Sequence, residues 1–131
     1  MSQYKPDGLI TLKSNGDYRT AGQYYIVVAA AGDTCAVAGA GGAAVHPIGV
    51  LQNKPNTNEF ATIATRGTSK VIMAENCTAG DVIVGCDAAS GKGEVADADK
   101  EIGVGIALQS NSAGDGVVIE VLLCPGISHH A

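Results

Sequence analysis

An internal repeat constrains the fold of this chain more than any other feature of its sequence. Ala21-Gly22-Gln23 leads into an apolar run over 24–28, and Ala79-Gly80-Asp81 leads into a second apolar run over 82–84. A glycine-bearing turn and another short apolar stretch follow each run. One copy has an apolar face that it cannot cover alone, so two copies packed together predict a small barrel or sandwich. We place the copies at about 20–66 and 78–124.

Both copies continue with the same tripeptide and end in the same way. Ile48-Gly49-Val50 and Ile102-Gly103-Val104 are each followed by a polar turn and a last apolar stretch, at 60–65 and 117–123. This order predicts an all-β fold with antiparallel strands, in which the two tripeptides occupy equivalent strands. A glycine inside a strand indicates a bulge or a close backbone approach. Helix is expected at most as a turn or two, over 69–76 and 96–100.

Residues 1–18 have no evident counterpart in this repeat, and we interpret them as an extended N-terminal arm before a β-rich domain at 19–131. Turn sequences flank a short strand-like stretch at 9–12. One alternative is that the arm orders on a partner by adding an edge strand, with Tyr4 as an apolar anchor and Lys5 facing acidic surface. The other is that 9–12 completes the sheet of this protein itself.

Composition excludes several classes of function. Hydrophobic residues make up 46% of the 131 residues, yet there is no Trp and one Phe, and 18 glycines favour short strands and tight turns. The net charge is −5 and the eight basic residues are scattered, which is not the pattern of a nucleic-acid-binding protein. No apolar run is long enough for a membrane span, and the first residues do not resemble a signal peptide. We therefore expect no nucleic acid and no membrane as partner, and a soluble chain that stays in the cytoplasm where it is made.

Two glycine-rich segments resemble nucleotide-binding motifs only superficially. The Gly-x-Gly-x-x-Ala match at 39–44 is followed at once by His46-Pro47, which leaves no room for the helix that would hold a pyrophosphate. The segment 85–93 has one residue too many for a phosphate-binding loop, and Gly93 stands where a Ser or Thr hydroxyl is needed. The repeat predicts a hairpin turn there. We expect no nucleotide cofactor.

The remaining polar residues suggest no catalytic or metal site. His46 is expected in an exposed loop, and His129 and His130 lie near the end of the sequence, where chains are commonly frayed. The acidic stretch at 97–101 lacks the spacing of an EF-hand and is interpreted as a solvated turn. The four cysteines match no zinc or redox pattern and are expected as reduced thiols in or near the core, with a disulfide left open: Cys35, Cys77, Cys86 and Cys124. The sequence predicts no enzyme, no cofactor and no metal.

Several segments resemble the capsid decoration (cement) proteins of tailed phages. The resemblance covers about residues 9–124 and rests on Pro-Ile-Gly-Val-Leu-Gln at 47–52 and Thr-Ala-Gly-Asp at 78–81, together with 24–27, 103–108 and 118–123. It implies a β-tulip-like fold similar to lambda-type head-decoration proteins, homotrimers on the outer capsid surface, the major capsid protein as partner, and no catalysis. Combined with the arm, it suggests a set of capsid-binding residues: Tyr4, Lys5, Pro6, Leu9, Ile10 and Leu12.

The expected function is therefore to stabilise a phage head from outside by bridging capsid subunits. A protein that binds the assembled shell and not the free subunit stabilises the shell by mass action. Two alternatives stay open. One is another virion structural module, such as a spike or fibre base, which a repetitive or coiled-coil stalk would favour and this sequence lacks. The other is a small ligand-binding protein, suggested only by the glycine-rich segments.

Overall fold

The structure, a computed structural model, describes residues 6–39, 45–85, 90–97 and 100–130. Within these ranges the chain forms nine β-strands and no helix. The stretch 69–76, a candidate for a helical turn, instead contains the end of a long strand. In chain order the strands are β1 (Pro6–Ser14), β2 (Ile26–Ala30), β3 (Thr34–Val37), β4 (Pro47–Leu51), β5 (Phe60–Ile72), β6 (Val82–Gly85), β7 (Gly93–Val95), β8 (Ile102–Ala107) and β9 (Val118–Ser128).

The strands are hydrogen-bonded in the order β1-β3-β2-β4-β5-β9-β8-β6-β7. Because β1 also pairs with β5, the first five strands of this order close into a barrel. The 13-residue β5 pairs with β1 and β4 through its first part and with β9 through its second part. The predicted all-β barrel is confirmed. We call β1–β4 with 60–67 the N-terminal unit, and 68–72 with β6–β9 the C-terminal unit.

The two units repeat one topology, and β1 belongs to the repeat. In the N-terminal unit β1 pairs antiparallel with β5, with Leu9 opposite Ala64. In the C-terminal unit the second part of β5 pairs antiparallel with β9 in the same way, with Thr68 opposite Leu122. Residues 9–14 therefore correspond to 68–73, and the expectation that the N-terminal segment lies outside the repeat is wrong for this strand. Sequence comparison misses this because the counterpart is fused into β5 and shares no residue pattern with β1.

Equivalent positions in the other strands can be read from the pairing. Val27 lies opposite Gly49 in β4, and Ile83 lies opposite Gly105 in β8. Gly49 therefore corresponds to Gly105, not to Gly103 as the shared tripeptide suggested. The predicted strands are equivalent, but their register is displaced by two residues. Ile48-Gly49-Val50 therefore corresponds to Val104-Gly105-Ile106, and the identical tripeptide Ile102-Gly103-Val104 begins two residues earlier in its strand.

The corrected register explains why both positions are glycine. A Cβ atom on Gly49 would lie 2.1 Å from the carbonyl oxygen of Ala64, and one on Gly105 would lie 2.1 Å from that of Leu122. Each contact is with backbone, which cannot rotate away. Two strands approach each other at these points more closely than any side chain allows.

Two buried clusters form the core. The smaller fills the N-terminal barrel and contains Val27, Cys35, Leu51, Ala61 and Ile63. The larger fills the C-terminal unit and extends to the outer surface of the N-terminal barrel, where it includes Ile26, Val50 and Ala64, all of them fully buried. Since one continuous cluster spans both units and β5 runs through both, the described chain forms a single body.

One end of the C-terminal unit is covered by the N-terminal unit. Ile26 donates its backbone N–H to the carbonyl oxygen of Gly91 at 2.7 Å, and Gln52 Nε2 donates to Ser69 Oγ at 2.8 Å. Gly85 approaches the N-terminal unit so closely that a Cβ on it would lie 2.3 Å from the carbonyl oxygen of Gly39. This junction buries one side of the N-terminal barrel against one end of the C-terminal unit.

Candidate interaction surfaces

The residues proposed to bind a capsid lie on or before β1. Pro6 is the first residue of β1, while Tyr4 and Lys5 lie outside the described residues. Leu9 and Ile10 are 55% and 41% exposed. Leu12 is half-buried and packs against the cluster inside the N-terminal barrel. The structure thus brings Leu9 and Ile10 to the surface and gives Leu12 a role in the core.

Of the two alternatives for 9–12, the structure shows the second. These residues pair with β5 of the same chain, from Leu9 opposite Ala64 to Leu12 opposite Ala61. Thr65 also donates its hydroxyl hydrogen to the carbonyl oxygen of Gly8. The backbone hydrogen-bonding groups on this edge of β1 are therefore engaged within the same chain.

An apolar surface that sequence reasoning missed covers the outer side of the C-terminal unit. It consists of Val82, Ile106 and Leu122 on β6, β8 and β9, with Leu108 at its margin, and we call it the outer face. Leu122 is 44% exposed and Leu108 41%. In the sequence, Val121-Leu122-Leu123 is apolar at successive positions, so both sides of β9 are apolar although one suffices for the core. This run of apolar residues is the sequence signal from which the outer face could have been predicted.

A second surface that the described residues leave uncovered lies at the end of the N-terminal barrel, and we call it the open end. Ile10, Ile48 and Thr65 surround it, and none of the three is fully buried. A depression of about 460 Å³ beside it is lined by Val28, Ala29, Gly39, Val45, His46 and Ile48. His46 is exposed, as expected for its loop. The lining is mostly apolar and lacks the convergent polar groups that orient a small ligand.

Another depression, of about 760 Å³, lies between the loops at 75–78 and 110–112. Its carboxylates are already engaged: Glu75 Oε2 accepts the backbone N–H of Val95 at 2.9 Å, and Asp81 Oδ2 accepts that of Thr78 at 2.8 Å. The buried side chain of Asn111 donates to the carbonyl oxygens of Glu75 at 3.1 Å and of a nearby loop residue. These contacts hold two loops together. Within the described ranges no group of three or more metal-ligating side chains occurs.

The segment that resembles a phosphate-binding loop connects two antiparallel strands. β6 and β7 pair with Gly85 opposite Gly93, as the hairpin prediction required, and 86–89 lie outside the described residues. Lys92 Nζ forms an ion pair with Asp115 Oδ1 at 2.9 Å. A strand follows the glycines in place of the helix whose N-terminus would hold a phosphate. Residues 40–44 of the other glycine-rich segment are outside the described chain.

The cysteines agree with the prediction where they are described. Cys35 and Cys77 are buried free thiols, and Cys124 is a half-buried free thiol. Burial raises the pKa of each of these thiols, because a thiolate loses more hydration than a thiol when it is enclosed. Cys77 Sγ also lies 3.7 Å from the carbonyl oxygen of Gln109. Cys86 lies outside the described residues. These thiols lack the activated state of a nucleophile.

Two expectations about polar segments need correction. Glu101, assigned to a solvated turn, is buried immediately before β8. The segment around His129 does not fray: its N–H donates to the carbonyl oxygen of Glu101 at 2.9 Å, and its own carbonyl accepts from Lys100 at 2.7 Å. Strand pairing with β8 holds the chain to this point.

No helix in the described part of the chain is long and apolar enough to cross a membrane.

At the level of sequence, no protein family and no curated protein matches the chain. The fold is similar to that of a solved structure. The chain superimposes on the crystal structure of the N base of the head fibre protein gp8.5 of bacteriophage phi29 with a TM-score of 0.64. The match covers 92% of this chain and 98% of that one, at 14% identity. The similarity therefore includes both units and the junction between them.

Proposed function

We propose that this protein is a structural component of a tailed-phage virion that attaches to the outer surface of the head and reinforces the shell by bridging major capsid subunits. The observation that carries the proposal is the fold shared with the phi29 head-fibre base over 92% of the chain. The resemblance of 47–52 and 78–81 to decoration proteins supports it independently. A protein whose core is formed by paired strands, and whose loops are held by polar contacts, suits the role of sharing mechanical load in a shell.

Shell stabilisation of this kind requires only that the protein binds the shell, with no catalytic step. A protein that binds only where capsid subunits meet lowers the free energy of the assembled lattice and leaves that of free subunits unchanged. Presentation as a homotrimer multiplies modest contacts through effective concentration. The contacts assigned to the shell are the exposed Leu9 of β1 together with Tyr4, Lys5 and Pro6 before and at its start.

A second form of the proposal is supported about equally. The phi29 structural neighbour is the base of a head fibre, and in this form of the proposal the chain seats a fibre or spike on the head in place of cementing the shell. In that case attachment to the head is the same, but removal of the protein leaves shell stability unchanged and removes a projection from the particle.

The test uses particles that lack the protein, to which purified protein is added back. We expect density on the head surface by electron cryomicroscopy, and release of DNA at a higher temperature than from bare particles. Density without any gain in heat resistance favours the fibre-base form. Absence of binding to particles contradicts both forms.

The contact residues are tested in the same assay. Leu9→Asp should bind particles at least tenfold more weakly, because a charge replaces an exposed apolar contact. Phe60→Asp is the matched control, since Phe60 is an equally exposed apolar strand residue (62%) at the far end of β5. Deleting residues 2–8 should also weaken binding while the protein stays folded. If all three variants bind particles as well as the natural chain does, the contacts must instead lie on the loops of the barrels.

The absence of nucleotide chemistry is tested on Lys92. Because its ammonium group pairs with Asp115 across two loops, Lys92→Ala should leave particle binding unchanged. ATP should not raise the melting temperature of the natural protein. A nucleotide-dependent rise that disappears in Lys92→Ala would restore the phosphate-loop interpretation.

A further inference from the structure

The junction between the two units joins an apolar face to the end of a barrel. On the N-terminal unit the face consists of Ile26, Val50 and Ala64, which are fully buried. On the C-terminal unit the end includes Ser69 and Val104, which are also fully buried. The face and the end belong to different units, so this contact joins unlike surfaces of two copies of the same fold.

The repeat places the same kind of face on the C-terminal unit. The pairing of Ile26 with Val50 corresponds to that of Val82 with Ile106, and the pairing of Val50 with Ala64 to that of Ile106 with Leu122. The outer face is therefore the counterpart of the face that the junction buries. Nothing within the described chain covers it: Leu122 is 44% exposed, and Val82 and Ile106 are only half-buried.

The repeat also places the same kind of end on the N-terminal unit. Ile10 lies opposite Ile63 just as Ser69 lies opposite Val121, so Ile10 occupies the position of Ser69. Ile48 and Val104 correspond as the residues at the irregularity of β4 and β8. The covered positions of the C-terminal unit are thus exposed or half-buried in the N-terminal unit, and Ile10 replaces a buried serine with an exposed apolar side chain.

We propose that the outer face of one copy of this protein docks on the open end of a second copy, which repeats between chains the junction seen within the chain. A second copy is the occupant because each unit carries both an apolar face and an end of this kind. The junction uses one face and one end, and the described chain leaves the other face and the other end uncovered. Lys70 and Glu120 lie opposite each other on β5 and β9, beside the outer face. The contact is heterologous, so it closes into a ring or extends head to tail.

This inference gives a geometry to the self-association included in the proposed function, but it does not depend on a virion role. Its test uses purified protein without particles. Failure of self-association and failure of particle binding are therefore separate results.

The experiment measures molar mass by sedimentation velocity and light scattering over a range of protein concentrations. We expect the natural chain to be larger than a monomer. Leu122→Asp on the outer face and Ile10→Asp on the open end should each leave a monomer, because a carboxylate enters an apolar contact. Phe60→Asp, which lies on neither surface, should assemble like the natural chain. Far-UV circular dichroism checks folding, and Leu122→Gln and Ile10→Gln replace any variant that does not fold.

Mixing the two monomeric variants tests the heterologous geometry directly. Leu122→Asp keeps an intact open end and Ile10→Asp keeps an intact outer face, so the mixture should form one-to-one dimers and nothing larger. A contact between identical surfaces could not be restored in this way. A monomeric natural chain, variants that still assemble, or a mixture that stays monomeric would each overturn the proposal.

Discussion

At the scale of single residues, two glycines mark the closest backbone contacts of the fold. Gly49 and Gly105 occupy equivalent positions and face the carbonyl oxygens of Ala64 and Leu122. Because a Cβ at 2.1 Å can be accommodated only by moving a strand, Gly49→Ala and Gly105→Ala should each destabilise the protein by about 3 kcal/mol or more. Gly39→Ala is the control, since no atom lies within 4 Å of its added Cβ. Urea denaturation measures all three, and equal stabilities would refute the register.

The buried thiols provide a second test at this scale. Burial raises the pKa values of Cys35, Cys77 and Cys124 above the ordinary thiol value of 9.0. At a given pH, a smaller fraction of each thiol is therefore present as the reactive thiolate. In the native protein, iodoacetamide at pH 8 should label Cys124 first, because Cys35 and Cys77 are also sterically enclosed. Peptide mapping by mass spectrometry gives the order. Labelling should rise for all three as the pH increases, and Cys35 reacting first would contradict its place in the barrel interior.

At the scale of strands, β1 is the element whose role changed most between sequence and structure. Deleting residues 2–14 removes the strand that closes the N-terminal barrel and exposes the cluster around Leu51 and Ile63. We expect that variant not to fold. Deleting 2–8 leaves the pairing from Leu9 to Lys13 and should lower the stability by only about 1 kcal/mol. Thermal unfolding followed by circular dichroism distinguishes the two, and an intact fold without β1 would show that it is an arm after all.

The turns before β5 and β9 repeat one side-chain contact. Asn53 Oδ1 accepts the backbone N–H of Thr62 at 2.9 Å, and Gln109 Oε1 accepts that of Glu120 at the same distance. Asn53 also donates from Nδ2 to the carbonyl oxygen of Phe60. At about 1 kcal/mol for each hydrogen bond, Asn53→Ala should cost about 2 kcal/mol and Gln109→Ala about 1 kcal/mol. The difference in the free energy of unfolding tests this order, and a larger loss at Gln109 would contradict it.

At the scale of the whole molecule, the shared strand and the shared cluster predict a single unfolding transition. β5 belongs to both units, and the larger cluster contains side chains from each. Loss of one unit would expose Ile26, Val50 and Ala64 on the other, so neither is expected to persist alone. Calorimetry should give equal calorimetric and van't Hoff enthalpies. Gly105→Ala should lower the stability of amides in β2 as much as in β6 by hydrogen exchange, and two separate transitions would contradict the single core.

The sequence by itself determined that the fold is all-β, that it is duplicated, and which strands correspond. Apolar runs, glycine-bearing turns and the paired Ile-Gly-Val segments carry that information locally, since strand and turn preferences depend on neighbouring residues. The same local reasoning identified the β6–β7 hairpin and the buried Cys35 and Cys77.

Only the tertiary structure decided the register of the repeat, the place of β1 and the surfaces left uncovered. Gly49 corresponds to Gly105 because each lies opposite an equivalent residue of the neighbouring strand, and a shared tripeptide does not specify that pairing. β1 matches the second part of β5 because both pair with an equivalent strand, although their side chains differ. Whether an apolar strand face is covered depends on what packs against it, so Ala64 is buried and its counterpart Leu122 is exposed for reasons that lie in another part of the chain.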